Sequence, residues 1–228
     1  MPYDLLITNG TVVDGTGAPR FKGDVAVRDG SIAALGKVEG SAATVIDAAG
    51  KIVCPGFVDP HTHYDAQITW DSLLSSSAEH GVTTVVMGNC GVGIAPCQPP
   101  ARGWLTEDLV TVEGIDKEVL VEGIRWEWET FPEYLDAAER RGSALNLAFL
   151  APISPFRTYV LGAVANERAA TPAETKTIAA MLDEAMRAGA WGFTTRPTGS
   201  TSGTAASRSP PASPAATSSA PMPASSSS

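Results

Sequence analysis

The sequence predicts an α/β protein: a small amino-terminal β-sandwich, then part of a (β/α) barrel, then a disordered tail. Three observations predict it. Up to about residue 51, short β-branched segments alternate with turn dipeptides and no helical period develops. From residue 52 to 195, apolar strands alternate with capped amphipathic helices, the pattern of a parallel sheet or a (β/α) barrel. Residues 196–228 contain no Leu, Ile, Val, Phe, Tyr, Trp, Asp or Glu. The expected divisions are therefore 1–51, 52–195 and 196–228.

The bulk properties exclude several functions. With 228 residues, 43% of them hydrophobic, the chain can bury a core. A net charge of -9 and a pI near 4.8 argue against nucleic acid or an anionic membrane as partner. No apolar run approaches the ~20 residues of a membrane span. Met1-Pro2-Tyr3-Asp4 lacks the basic start of a signal peptide. Three cysteines at irregular spacing suit a reducing cytoplasm better than a disulfide framework. A cytoplasmic protein is expected.

The β segment reads as a series of short strands. Leu5–Ile7 and Thr11–Val13 flank Asn9-Gly10, a hairpin-turn dipeptide. Asp24–Val27 and Ser31–Leu35 flank Arg28-Asp29-Gly30, a second hairpin. Thr44–Asp47 follows. The run Ile52–Val58 is apolar and partly β-branched, which predicts one buried strand.

Further along, Asp71–His80 predicts a short helix stopped by Gly81, and Val82–Met87 a buried strand. Residues 95–128 carry prolines, acids and three tryptophans, and read as a long loop over the barrel mouth. Thr130-Phe131-Pro132-Glu133 forms a capping box for a helix ending at Gly142. Ala144–Leu150 is a third strand. Thr171-Pro172-Ala173-Glu174 caps another helix, with Ile178, Met181, Leu182, Ala185 and Met186 on its apolar face and Gly189 at its end. Ala190–Thr194 is a fourth strand.

Candidate chemistry gathers at strand ends. His61 and His63 follow the Ile52–Val58 run at i, i+2 spacing, which places both imidazoles on one face. A barrel strand delivers two metal ligands to its mouth in this way; the plainer alternative is a pair of turn histidines. Asp65 can orient an imidazole, or be a solvated turn aspartate. Cys90 ends the Val82–Met87 strand among glycines. A thiolate there suits zinc, although a free cysteine after a strand is commonly a small core residue. Cys54, inside a strand, reads as core filler, and Cys97 as a loop residue. His80 reads as a charge partner at a helix end.

These motifs resemble a known family. Gly56-Phe57-Val58-Asp59-Pro60-His61-Thr62-His63 resembles the metal-dependent amidohydrolase superfamily. His80-Gly81-Val82-Thr83-Thr84-Val85-Val86-Met87-Gly88-Asn89-Cys90-Gly91 and Trp128-Glu129-Thr130-Phe131-Pro132-Glu133-Tyr134-Leu135 narrow the resemblance to the N-acyl-D-amino-acid deacylases (D-aminoacylases), over about residues 3–195. The resemblance implies a TIM-type (β/α)8 metal-dependent hydrolase barrel with a small sandwich. It implies Zn2+ held by His61, His63 and Cys90, and hydrolysis of an N-acyl-D-amino acid, a small-molecule substrate. Asn89-Cys90-Gly91 favours this over a cyclic amidase such as a hydantoinase. A non-catalytic metal-binding module is the remaining alternative.

Departures from the family are equally informative. No histidine follows His80, and Ile153 stands where the family commonly has histidine. The family's later ligands and catalytic aspartate have no counterpart, so no catalytic residue is assigned. The tail after residue 195 reads as an out-of-frame extension, with a natural linker as the alternative. An inactive, poorly folded fragment is the expectation.

Overall fold

The computed structural model describes residues 2–195. Strand β1 (Tyr3–Val12) is the spine of the first sheet. It pairs antiparallel with β2 (Phe21–Arg28), which pairs antiparallel with β3 (Ser31–Gly36). Its other edge is shared, in parallel register, by β4 (Ala42–Asp47) and β5 (Ile52–Val53). The strands expected as a small sandwich thus lie in one five-stranded mixed sheet.

The expected hairpin turn at Asn9-Gly10 is instead a bulge inside β1, where the register with β2 shifts between Ile7 and Gly10. Asn9 takes a left-handed φ of 61°, which Asn tolerates better than most residues. Carboxylates hold it there: Asn9 N–H donates to Asp24 Oδ1 at 2.9 Å and its Nδ2 to Asp47 Oδ1 at 3.0 Å. The second hairpin forms as expected, with Asp29 and Gly30 both at positive φ, as a type I′ turn requires.

The Ile52–Val58 run is not one buried strand. It divides at Cys54-Pro55-Gly56 into β5 of the first sheet and β6 (Phe57–Asp59) of the second. Proline cannot donate to a ladder, and at Gly56 a Cβ would lie 2.1 Å from the Thr83 side chain. Ile52, Phe57 and Val58 are 60–63% exposed.

The second sheet is parallel, with strand order equal to chain order: β6, β7 (Val82–Met87), β8 (Asn146–Pro152) and β9 (Gly192–Thr194). Helices cross between successive strands, so the sheet curls as the first half of a (β/α)8 barrel does. Between β6 and β7 lies α1 (Ser75–Glu79), shorter than expected. Asp71 still acts at its start, accepting from Leu73 N–H and Ser75 N–H.

The stretch read as a loop contains two helices, α2 (Arg102–Glu113) and α3 (Lys117–Gly123). No side chain caps α2, so the usual start signal is missing. The capped helices match expectation: α4 (Phe131–Arg141) with its Thr130/Glu133 box, and α6 (Pro172–Ala188) with its Thr171/Glu174 box. Between them α5 (Ile153–Leu161) follows β8 directly, without a side-chain cap.

The main core joins these parts. Leu109 of α2, Leu120 of α3, Trp128, Phe131, Tyr134, Phe156, Ile178 and Ala185 are buried together. Trp128, Tyr134 and Phe149 meet edge-on, with ring centroids 5.0 and 5.5 Å apart. The α2–α3 insertion is therefore built into the core. Among the described residues no helix is long and apolar enough to cross a membrane. The expectation for 196–228 lies outside the described residues.

Candidate metal centre

The centre forms where the parallel strands end. After β6, Thr62 is buried, and both its N–H and its hydroxyl donate to the Val86 carbonyl, at 3.0 and 2.9 Å. Pinning Thr62 to β7 fixes the two residues that flank it, His61 and His63. Asp59 Oδ1 accepts from His61 N–H at 3.2 Å. Asn89 Nδ2 donates to Pro60 O and Val86 O, tying the same segment to the end of β7.

Cys90 sits on a tight turn after β7. Gly88, Cys90 and Gly91 all have positive φ, at 81°, 56° and 72°. Only glycine fits position 88, because a Cβ would lie 2.0 Å from Leu150 O of β8. Thr194 of β9 closes the turn: its hydroxyl donates to Gly88 O and accepts from Gly91 N–H, the latter at 3.1 Å. Cys90 is thus held by contacts from all four strand ends, and its left-handed backbone is strain that those contacts sustain.

The three residues singled out by sequence come together. His61 Nε2 is 3.1 Å from Cys90 Sγ, and the two imidazole centroids are 5.5 Å apart. One donor atom from each of His61, His63 and Cys90 can be chosen so that all lie within 4.8 Å of one another. His61 and Cys90 are exposed, whereas the His63 side chain is only 8% exposed. His63 Nε2 faces Glu113 Oε1 at 3.6 Å, and its Nδ1 is buried without a partner. Burial pulls the His63 pKa down; Glu113 opposes that and His61 adds to it. The ring is therefore held as neutral imidazole, the form that ligates metals.

Asp65 is fully buried, and burial pushes its pKa up to about 7, against amide donors at Asp65 and Gly88. Its Oδ2 has no partner among the described residues, and no hydrogen bond joins it to either imidazole. The expected imidazole-orienting contact is thus not formed. Its carbonyl instead accepts from the Tyr134 hydroxyl at 3.0 Å, anchoring the segment to α4.

Of the two remaining cysteines, Cys54 reverses the core-filler expectation, and Cys97 lies in a loop as expected but is buried there. Cys54 is exposed between β5 and β6, while Cys97 is buried with Ala101 and Leu105. Burial pushes the Cys97 thiol up to about 12. His80 closes α1, as expected for a helix-end residue.

Two imidazoles and a thiol are the donor set of a borderline-soft divalent ion such as zinc. The converging donors and the unpartnered buried Nδ1 of His63 fit such an ion. Sequence reading missed Glu113, Tyr134 and Thr194. Glu113 lies in an acid-rich insertion that offers no spacing signal. Tyr134 was visible only as part of a motif, and Thr194 only as a strand residue.

Residues 44–218 match the Amidohydrolase family. The chain is 36% identical over 198 residues to the D-aminoacylase of Alcaligenes xylosoxydans xylosoxydans, covering 85% of this chain and 38% of that protein. A crystal structure of D-aminoacylase superposes with a TM-score of 0.72 at 37% identity, over 85% of this chain and 38% of that one. The N-acyl-D-glutamate deacylase of Bordetella bronchiseptica, complexed with zinc and a phosphonate inhibitor, gives 0.70 at 35% identity, over 86% and 38%. The chain therefore spans less than two fifths of the length of these relatives.

Proposed function

Because this chain belongs to the amidohydrolase family, we propose that it carries the zinc-binding portion of an N-acyl-D-amino-acid deacylase. His61, His63 and Cys90 hold the ion. The observation that carries this reading is the convergence of those three donors within 4.8 Å at the ends of β6 and β7. The D-aminoacylase and N-acyl-D-glutamate deacylase similarities favour an N-acyl-D-amino acid as substrate. The setting is the cytoplasm, where reducing conditions keep Cys90 free of disulfides and available to a metal.

When bound, zinc supplies Lewis acidity, polarising an amide carbonyl and easing proton loss from water. The chain's own groups set the frame for that chemistry. His61 and Cys90 are the solvent-exposed donors of the centre, the side from which a substrate would approach. His63 is its shielded donor, and the Thr62, Asn89 and Thr194 hydrogen bonds keep the donors in register. Among the described residues the centre offers three donors, one short of the four that close a structural zinc site.

A chimera tests the reading. Residues 1–195 of this chain replace the matching region of the Alcaligenes D-aminoacylase, and hydrolysis of N-acetyl-D- and N-acetyl-L-amino acids is measured. Zinc-dependent hydrolysis of the D series, abolished by His61→Ala or Cys90→Ser, is expected. A folded, zinc-loaded chimera that hydrolyses only cyclic amides, or nothing, would overturn the assignment. For the 228-residue chain alone, zinc binding without turnover is expected.

A further inference from the structure

The insertion between β7 and α4 ends one of its helices at the metal centre. Helix α2 closes at Glu113, where Gly114 takes a φ of 66° and donates its N–H to Val110 O at 3.0 Å. The helix is itself anchored: Leu105 and Leu109 are buried, as is Leu120 of α3. Asp116 caps α3, and Lys117 spans back to Glu107 at 2.8 Å. The carboxylate delivered this way lies 3.6 Å from His63 Nε2, slightly long for an ordinary hydrogen bond and close enough to act electrostatically on the ring. The His63 side chain is 8% exposed and that of Glu113 30%, so the imidazole is shielded while the carboxylate reaches it from the solvent side.

Charge explains what such an acid does there. Two neutral imidazoles and one thiolate leave a divalent cation with one uncompensated positive charge, which water screens on the exposed His61 and Cys90 side and screens less on the shielded His63 side. A carboxylate beside the buried ligand supplies the missing charge. We propose that Glu113 is a positioning residue of the metal centre: from the insertion, it restrains His63 and balances the bound cation. This rests on the zinc reading of His61, His63 and Cys90. It gives the α2–α3 insertion a functional part beyond packing.

The test is zinc affinity of the full 228-residue protein, by competition with a chromophoric chelator. The variants are Glu113→Gln, Glu113→Ala and, as a control for net charge, Glu122→Gln on α3. Both Glu113 variants are expected to weaken zinc about 10- to 100-fold, the range for loss of a group supporting a metal ligand. Glu122→Gln is expected to stay within about 3-fold of the parent, since exposed charges are screened. Cobalt-substituted protein should keep its thiolate charge-transfer absorption in Glu113→Gln, showing that Cys90 still ligates. If Glu113→Gln binds zinc like the parent, the inference is overturned while the zinc reading stands. If the parent does not bind zinc, both fall. Should Glu113→Ala unfold, the near-isosteric Gln variant decides alone.

Discussion

His61 Nε2 and Cys90 Sγ lie 3.1 Å apart across a sequence separation of 29 residues. The contact joins the ends of two neighbouring parallel strands, and it leaves both residues exposed. The other two thiols differ sharply: Cys54 is exposed away from any ligand cluster among the described residues, and Cys97 is buried with its thiol pushed up to about 12. Iodoacetamide should therefore modify Cys54 and Cys90 in metal-free protein and leave Cys97 untouched, since the thiolate is the nucleophile. Added zinc should protect Cys90 alone. Peptide mass mapping reads all three, and equal protection of Cys54 would contradict the assignment.

Two glycines predict opposite outcomes. At Gly88 a Cβ would lie 2.0 Å from a backbone carbonyl, at a φ of 81°. Gly88→Ala should cost about 3 kcal/mol or more, since neither the turn nor β8 can yield. Gly103, in the first turn of α2, has open space around its missing Cβ. Gly103→Ala should be neutral or stabilise by up to about 1 kcal/mol through helix propensity. Urea denaturation of both variants checks the contrast.

The α6 capping box predicts a pH dependence. A bidentate hydrogen bond from Arg168, then amide donation from Thr171, pulls the Glu174 carboxyl down to about 2 from an ordinary 4.5. A depressed folded-state pKa gives stability that is present above the unfolded value and lost as pH falls towards the folded one. The Tm gap between the parent and Glu174→Gln should hold steady above about pH 5 and close towards about pH 2. A gap that widens with acid would contradict the pairing.

Exposed apolar surface predicts solution behaviour. Phe57 and Val58 on β6, Trp191 beside β9 and Phe193 within it are largely solvent-accessible. They lie on or beside the strands at the two edges of the described parallel sheet. Patches of this kind bind apolar dyes and promote association. Strong ANS fluorescence is expected, reduced by Phe57→Ser together with Phe193→Ser. Absence of dye binding would show these faces covered.

Much of this was legible in the sequence, for reasons that are local. The capping boxes at Thr130 and Thr171, the Asp29-Gly30 turn and the β-branched run Val82–Met87 are each decided within a few residues. His61, His63 and Cys90 were readable because strand ends and glycine turns aim side chains predictably. What sequence missed depended on distant contacts. Asn9-Gly10 reads as a hairpin turn unless Asp24 and Asp47 are known to hold it as a bulge. The Ile52–Val58 run reads as one strand unless the two sheets that divide it are known. Helix α2 lacks a cap, and the meeting of Glu113 with His63 is set by tertiary packing alone.

The most direct measurement is the zinc content of the purified protein after dialysis, compared with His61→Ala, His63→Ala and Cys90→Ser. About one equivalent in the parent, falling towards zero in each variant, is the expected result for a centre built on three protein donors. A parent that retains no zinc, or variants that retain as much as the parent, would contradict the assignment of His61, His63 and Cys90 as the metal centre.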